Sequence, residues 1–430
     1  DHTMKPEPCS AGIWARRGLK VVEEGGGSLV CGFRMNLIIR KVRGLVVVTF
    51  LVVSSVFTSV FVLLPLLLLH PAVPRRVLRA LRAVTAAWFA SGALLLEMLG
   101  VSVSVDIRGA TQKQLESDVR NLLFVMNHHC RLDWLFTWMI ELRLQWSTSK
   151  IIVLKRGLRH LPGIGWAMQM LRYIFLHRSW SRDEERISYV LRSVQRDGAA
   201  SVLLFPEGTD LTKETKAKAH QFAKDHDLPL YENVLNPRPR GFAHIFTQMR
   251  GNVPEPLTVW DVTVGYVGLP AGSGEPQFLS GVWPTRVHYR VSRWPAEQIP
   301  PDERALVGWL QDRWTEKEQL LDDFHESHGA HMMLPAEAAA QPGSPTGDTV
   351  GDKHLLLPPQ AASPFPWDLW VKSGSPIFLV ANVLVFPLML AFLSWTRWWL
   401  YAATFVFVVA SQLGGLDTLL AGVPSRQKEG

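Results

Sequence analysis

The chain has 430 residues, of which 47% are hydrophobic and 19% charged, and its formal net charge is +7 at pH 7. Soluble globular chains carry about 25% charged residues, so this composition indicates that part of the chain lies in a membrane. Three scattered cysteines exclude a disulfide framework and a cysteine-rich zinc site. The basic charge fits anionic headgroups, and no nucleic-acid-binding motif accompanies it.

The first long apolar run extends from Gly44 to Leu69 without a charge. It exceeds the roughly 20 residues that a helix needs to cross a bilayer, so it predicts a membrane anchor. The run from Ala83 to Val105 is weaker because Glu97 interrupts it, at a cost of about 2.5–3.5 kcal/mol inside a bilayer. A full span, a hairpin leg and an interfacial helix all remain open for this segment.

Two further apolar stretches, Pro376–Trp395 and Trp398–Leu413, lie near the end of the chain, and a re-entrant hairpin and two short spans both fit them. Met35, at the start of a basic stretch before the anchor, is a candidate start of the chain. We therefore divide the chain into a disordered N-terminal extension (1–34), N-terminal membrane helices (35–106), an α/β domain (107–328), a flexible linker (329–366), and C-terminal membrane segments with a tail (367–430).

In the middle of the chain, short apolar runs alternate with amphipathic stretches. The helix at Ser181–Gly198 is predicted to open with a capping box formed by Ser181 and Glu184, and a second helix covers Asp302–Phe324. This alternation predicts an α/β fold with a mixed, largely parallel sheet flanked by helices. The predicted strands are Leu122–Met126, Ile151–Leu154, Tyr173–Leu176, Val202–Phe205, Thr258–Tyr266 and Val287–Val291.

The end of the strand Leu122–Met126 carries the first chemical pattern, a histidine at 128 followed five residues later by Asp133. Reactive groups gather at the carboxyl ends of strands in open α/β sheets. With His128 on the turn and Asp133 in the first helical turn, a carboxylate can orient an imidazole that accepts a proton. This is the base and orienting half of a triad, and the nucleophile would be an alcohol of the substrate.

Two further groups of residues follow other strands. Phe205 and Pro206 lead into Glu207, Gly208 and Thr209, where a glycine allows close backbone approach and polar groups can meet a phosphate or hydroxyl.

Lys155 and Arg178 each follow a strand, and two cations at two strand ends suit a phosphate. Taken singly, each of these patterns also has a structural explanation: a buried histidine, a turn, or solvated surface charges.

A metal ion is not expected, because nothing completes a ligand set around His129, Cys130 and His160. Cys130 beside His128 is an alternative acyl-carrying nucleophile, although nothing in the pattern lowers its pKa.

Taken together, His128-x4-Asp133, the segment from Lys155 to Arg178 and Phe205–Thr209 resemble the ordered motifs of the glycerolipid acyltransferases that act on lysophosphatidic acid and related lysophospholipids. The stretch from Leu158 to Gln169, the run continuing from Phe205 to Thr212 and the Asn-Pro-Arg at 236–238 are similar to the lysocardiolipin acyltransferase branch. The resemblance covers roughly residues 40–328.

The resemblance implies that His128 is the general base and Asp133 its partner. It also implies substrate-binding roles for five residues, which are Lys155, Arg178, Glu207, Gly208 and Thr209. The donor would be acyl-CoA as a co-substrate, with no metal or redox cofactor, and the acceptor a lysophospholipid at the lipid bilayer. The implied location is the endoplasmic reticulum membrane, with multiple spans; a mitochondrial or contact-site pool remains open.

Two positions depart from the wider family. Arg172 stands where glycine is frequent, and the last motif, usually a Val-Pro pair, reads Val-Leu-Asn-Pro at 234–237. Both favour a bulkier headgroup, such as that of lysocardiolipin, lysophosphatidylinositol or lysophosphatidylglycerol. The alternatives are a 1-acylglycerol-3-phosphate acyltransferase that makes phosphatidic acid and a non-catalytic lipid-binding protein. A protein acyltransferase of the Asp-His-His-Cys type would need more cysteines than this chain has.

Overall fold

The computed structural model describes residues 26–70, 74–117, 121–144, 150–196, 201–251, 256–332, 355–357, 371, 374–412 and 416. Their centre is one sheet of eight strands in the order β4-β3-β5-β2-β6-β7-β1-β8. The strands are β1 Ser102–Arg108, β2 Leu122–Met126, β3 Ile151–Lys155, β4 Ile174–Leu176, β5 Ser201–Leu204, β6 Thr258–Val267, β7 Arg286–Pro295 and β8 Leu355–Leu357.

Strands β2 to β6 all run in the same direction, through the parallel pairs β3–β4, β3–β5, β2–β5 and β2–β6. The mixed part lies beyond them, because β7 is antiparallel to β6 and β8 is antiparallel to β1. The predicted mixed, largely parallel sheet is confirmed. Its consequence is that the carboxyl ends of five neighbouring strands meet at one edge, where the motif residues were expected.

Helices pack against this sheet and extend from it. The α-helices are α1 Gly26–Thr58, α2 Leu64–Leu68, α3 Pro74–Met98, α4 Gln112–Ser117, α5 Asp133–Leu144, α6 Ile164–Met170, α7 Trp180–Arg196, α8 Lys213–Asp225, α9 Pro239–Gly251, α10 Glu275–Leu279, α11 Glu303–Glu326, α12 Ser375–Val380, α13 Phe386–Phe392 and α14 Ser394–Gln412. Short 3₁₀ turns lie at Arg156–His160 and Ala296–Gln298, and π-helical segments at Ser59–Leu63 and Ala381–Val385.

Three helical segments, Ile38–Leu68, Arg76–Met98 and Ser375–Phe392, are long and apolar enough to cross a membrane. This supports the expectation of a membrane protein. The first of them presents two faces: Val47 and Leu51 are buried in the main core, whereas Leu45 is 57% exposed. An exposed apolar face of this length suits contact with lipid.

Helix α1 lies directly against the α/β domain at two glycines. A Cβ on Gly44 would lie 2.9 Å from the carbonyl oxygen of Leu279, and a Cβ on Gly163 would lie 2.6 Å from Val56 N. The Ser59 hydroxyl also donates to the Gly163 carbonyl at 3.0 Å. Because a side chain at either glycine would force the backbones apart, these contacts fix the helix to the domain.

Helix α3 also packs against the domain, and 61% of its most apolar window is buried within the protein. Its Glu97 forms an ion pair with Arg143 of α5. The carboxylate that interrupts the apolar run therefore meets a cation of the protein rather than hydrocarbon, which removes the cost of leaving it unpaired.

The structure differs from four sequence expectations. The run Ala83–Val105 is not one segment, since α3 ends at Met98 and β1 begins at Ser102. Residues 26–34 belong to α1, and 355–357, within the predicted linker, form β8; residues 1–25 and most of the linker lie outside the described residues.

The capping box was also wrong. Helix α7 begins at Trp180, ahead of Ser181, and the Asp183 carboxylate accepts from the backbone N–H groups of His177 and Ser179.

Candidate active site

The pair His128 and Asp133 lies at the carboxyl end of β2, as the sequence predicted. Nδ1 of His128 is 2.8 Å from Oδ2 of Asp133, and because a carboxylate only accepts, Nδ1 carries the donated proton. Asp133 opens α5 and is fully buried, whereas the His128 side chain is 20% exposed. The imidazole therefore points its Nε2 edge toward an accessible space, as a base that meets a substrate must.

Asp133 is held by three donors besides His128. Its Oδ2 accepts from Cys130 N at 3.1 Å, and its Oδ1 accepts from the Tyr266 hydroxyl at 2.7 Å and from Cys130 Sγ at 3.1 Å. The Tyr266 contact was not predicted from the sequence. The sequence predicted Tyr266 as the last residue of a strand, but the pairing of that strand with β2 is known only from the structure.

These contacts set the charge state of the pair. Burial acts to lower the pKa of His128, but the hydrogen bond and charge of Asp133 outweigh it and raise the pKa above its usual value of 6.5. For Asp133, burial acts to raise the pKa, yet the bond and charge of His128 lower it. The carboxylate stays ionised and stabilises the imidazolium that forms when the base takes a proton.

A base must be unprotonated to act, so the raised pKa of His128 fixes the acid limb of the pH profile. We expect kcat/KM to fall toward acid pH with an apparent pKa above 6.5. In Asp133→Asn the carboxylate that raises the pKa is gone, so the limb moves to lower pH. Initial rates between pH 5 and 9 measure both; a wild-type limb at or below 6.5 contradicts the prediction.

Tyr266 is expected to position Asp133 rather than to touch the substrate. Tyr266→Phe removes one hydrogen bond to a charged group, and we expect a fall in kcat of roughly tenfold with little change in KM. Tyr289→Phe is the matched control, because that buried hydroxyl has no hydrogen-bond partner among the residues described. Equal effects of the two substitutions would contradict a positioning role.

Glu207 contacts the backbone of His128 and of Leu235. Its Oε1 accepts from His128 N at 3.1 Å and its Oε2 from Leu235 N at 3.2 Å. Burial raises the pKa of Glu207 to about 7, although the charge of His128 opposes this. Both carboxylate oxygens of Glu207 accept hydrogen bonds from backbone N–H groups. These contacts support a positioning role for Glu207 in addition to the predicted contact with the acceptor.

The next two motif residues shape the rim of the site. Gly208 has φ +75°, in the left-handed region that favours glycine, and its N–H bonds the Phe205 carbonyl at 3.0 Å. The Phe205 ring stacks on the His128 imidazole with centroids 4.4 Å apart. Thr209 donates its hydroxyl to Asp210 at 3.3 Å and is only partly buried.

Lys155 and Arg178 lie farther along the same edge. Lys155 ends β3 opposite Leu176 of β4, and Arg178 follows two residues later with φ +64°. Both side chains are exposed. With about 4.8 Å between strands, β3 and β4 lie roughly 10 and 14 Å from β2. The structure therefore places these cations on the correct edge but not beside His128.

The local alternatives are disfavoured by the geometry. Cys130 is fully buried, and burial raises the pKa of its thiol well above the ordinary value, so it is not a thiolate nucleophile. His129 bonds the Leu269 carbonyl at 3.2 Å, and burial lowers its pKa. In the ranges that the structure covers, no three His, Cys, Asp or Glu side chains converge as metal ligands.

Comparison with known proteins decides the family. The model of the family described as "Acyltransferase" matches residues 106–267, and the model described as "Acyltransferase C-terminus" matches residues 277–345. The chain belongs to the glycerolipid acyltransferase family. The first match contains all seven predicted site residues. As a member of this family, the protein is an acyltransferase rather than a non-catalytic lipid-binding protein.

Several curated members of the acyltransferase family are similar to this chain over most of their length. Lysocardiolipin acyltransferase 1 of Danio rerio is 38% identical over 297 residues, covering 68% of this chain and 74% of the relative. The protein of the same name from Gallus gallus is 32% identical over 389 residues, covering 88% and 93%. Lysophosphatidylinositol acyltransferase 10 of Caenorhabditis elegans is 35% identical over 219 residues, covering 50% and 56%.

Proposed function

We propose that this acyltransferase moves a fatty acyl group from acyl-CoA to the free hydroxyl of a lysophospholipid with a headgroup larger than phosphate alone. The observation that carries the proposal is His128, oriented by Asp133 and open at Nε2. The names of the relatives support a lysophospholipid acceptor, and lysocardiolipin, lysophosphatidylinositol and lysophosphatidylglycerol are the candidates.

The proposed step is direct transfer. The lysolipid hydroxyl gives its proton to Nε2 of His128 while its oxygen attacks the thioester carbonyl. The tetrahedral intermediate collapses, the C–S bond breaks, and His128 returns the proton to the departing CoA sulfur. An ester and a thiol replace the alcohol and the thioester, so the atoms balance without a metal or redox cofactor. A chelator is expected to leave the rate unchanged.

The remaining predicted site residues are proposed to bind the acceptor. Gly208 and Thr209 belong to the loop whose Phe205 ring stacks on the His128 imidazole, while Lys155 and Arg178 stand farther out where a larger headgroup would extend. Glu207 is proposed to hold the loop that carries the base, through its bonds to His128 N and Leu235 N, and to face the acceptor hydroxyls.

The test uses the purified full chain in lipid nanodiscs with radiolabelled acyl-CoA and a panel of lysophospholipids. We expect labelled phospholipid and one free thiol for each ester formed, with faster turnover of the three large-headgroup acceptors. Preference for lysophosphatidic acid would favour the alternative function that several plant relatives carry in their names. Thiol release without labelled lipid would contradict acyl transfer.

We also propose that the protein is a multi-pass protein of the endoplasmic reticulum membrane. The three apolar helices support insertion in a membrane, and the choice of organelle rests on the family resemblance. Imaging of the tagged chain against markers of the endoplasmic reticulum, of mitochondria and of their contact sites tests it.

A further inference from the structure

Arg238 is an exposed cation at the rim of the site that none of the predicted roles includes. Its backbone N–H donates to the Pro206 carbonyl at 2.8 Å, which ties it to the loop after β5. A Cβ on Gly208 would lie 3.5 Å from both Cδ and Nε of Arg238 and 3.7 Å from Cζ. The guanidinium therefore lies over the glycine that the motif provides.

The carboxylates near this guanidinium have other partners. Both carboxylate oxygens of Glu207 accept from backbone N–H groups, and Asp210 forms an ion pair with Arg131 at 3.6 Å. Over the parts of the chain that the structure covers, Arg238 makes no ion pair or side-chain hydrogen bond. A cation whose charge is not compensated by the protein can bind an anionic ligand without first breaking an internal pair.

Arg238 also contacts the strand-end loop that lies next to the base. It directly precedes α9, and its guanidinium lies against Gly208 on the loop that follows β5, the strand beside β2. That loop bonds the histidine directly, from Leu211 N to the His128 carbonyl at 3.0 Å. Lys155 ends β3, one strand farther away, and Arg178 follows β4 beyond it. In a lysophospholipid, the free hydroxyl and the phosphate are separated by only a few bonds, so the phosphate must lie close to His128.

We propose that Arg238 binds the phosphate of the lysophospholipid acceptor and so fixes the reacting hydroxyl near His128. A guanidinium presents two N–H groups that match two phosphate oxygens, which adds orientation to charge. Lys155 and Arg178 then meet the more distant part of a large headgroup. The inference rests on the proposed acceptor class, and it adds the residue that recognises the phosphate.

The test measures binding without turnover, in full-length protein that carries His128→Ala. Three labelled ligands are compared, which are a lysophosphatidylinositol, a monoacylglycerol with the same acyl chain and no phosphate, and CoA. Loss of a charge-assisted bond predicts roughly 10- to 100-fold weaker lysophosphatidylinositol binding in Arg238→Ala. We expect unchanged monoacylglycerol and CoA binding, and partial retention of affinity in Arg238→Lys.

Arg240→Ala is the matched control, because that exposed arginine lies two residues on, with its guanidinium 4.6 Å from the Trp180 ring centre. Weakened CoA binding, equal effects at positions 238 and 240, or unchanged lysophosphatidylinositol affinity would each overturn the inference. Because binding needs no turnover, Arg238-dependent lipid binding together with no acyl transfer by the protein that keeps His128 would reject the proposed reaction alone.

Discussion

Replacing His128 with alanine is expected to lower the rate of acyl transfer by 10²–10⁴-fold, the usual contribution of a general base. The hydroxyl of the acceptor would then have no group to take its proton as it attacks the thioester. The measurement is the release of CoA and the formation of labelled lipid by purified protein, with unfolding temperature recorded to confirm the fold.

Combining His128→Ala with Asp133→Asn tests whether the two residues act as one unit. Asp133 acts through His128, so Asp133→Asn should cost little more once the histidine is gone, although it is harmful alone. His226→Ala is the control, since that histidine is exposed, directly follows α8 and hydrogen-bonds the Phe222 carbonyl of that helix. Full activity in His128→Ala, or additive losses in the double variant, would be incompatible with the pair acting as one unit.

The largest expected effect on stability comes from Lys317. Its ammonium group, on α11, forms an ion pair with Asp261 of β6 and donates to the Val262 carbonyl at 2.7 Å. Both charged side chains are almost fully buried, at 1% and 6% exposure. Lys317→Met leaves the Asp261 carboxylate buried without its cation, which typically costs about 3–5 kcal/mol.

We expect that loss to lower the apparent unfolding temperature in detergent by on the order of 10 °C. Adding Asp261→Asn should restore at least half of it, because the orphaned charge is removed as well. Lys218→Met, at an exposed position on α8, serves as the control and should shift the temperature little. No recovery in the double variant would mean that packing, rather than charge, sets the effect.

Much of the sheet could be predicted because its central strands are apolar throughout and are bounded by polar turns. Strand β2 matches its prediction at both ends. Strand β1 was missed because its apolar residues continue the preceding helical run, and hydropathy does not separate a membrane helix from a buried strand. Strand β8 was missed because three leucines in a Pro-rich stretch carry almost no local signal.

In the site, too, contacts between residues close in sequence could be predicted and contacts between distant residues could not. The contact between His128 and Asp133 spans five residues, so the local turn was enough to predict it. Tyr266 reaches Asp133 across 133 residues of sequence, and only the strand order brings them together. Glu207 was assigned to the substrate from its motif, whereas its bonds to backbone at 128 and 235 depend on tertiary structure that the motif does not encode.

Helix α1 has a consequence for any attempt to obtain this enzyme free of its anchor. Val47 and Leu51 belong to the same apolar core as the sheet, and Gly163 sits against the backbone of Val56. Deleting residues up to 70 would thus remove one side of the hydrophobic core and expose the rest of it, instead of releasing an intact water-soluble fragment. Crystallisation or kinetic work that begins from such a shortened polypeptide should meet aggregation, while amphiphile-solubilised full-length protein keeps its hydrophobic interior closed.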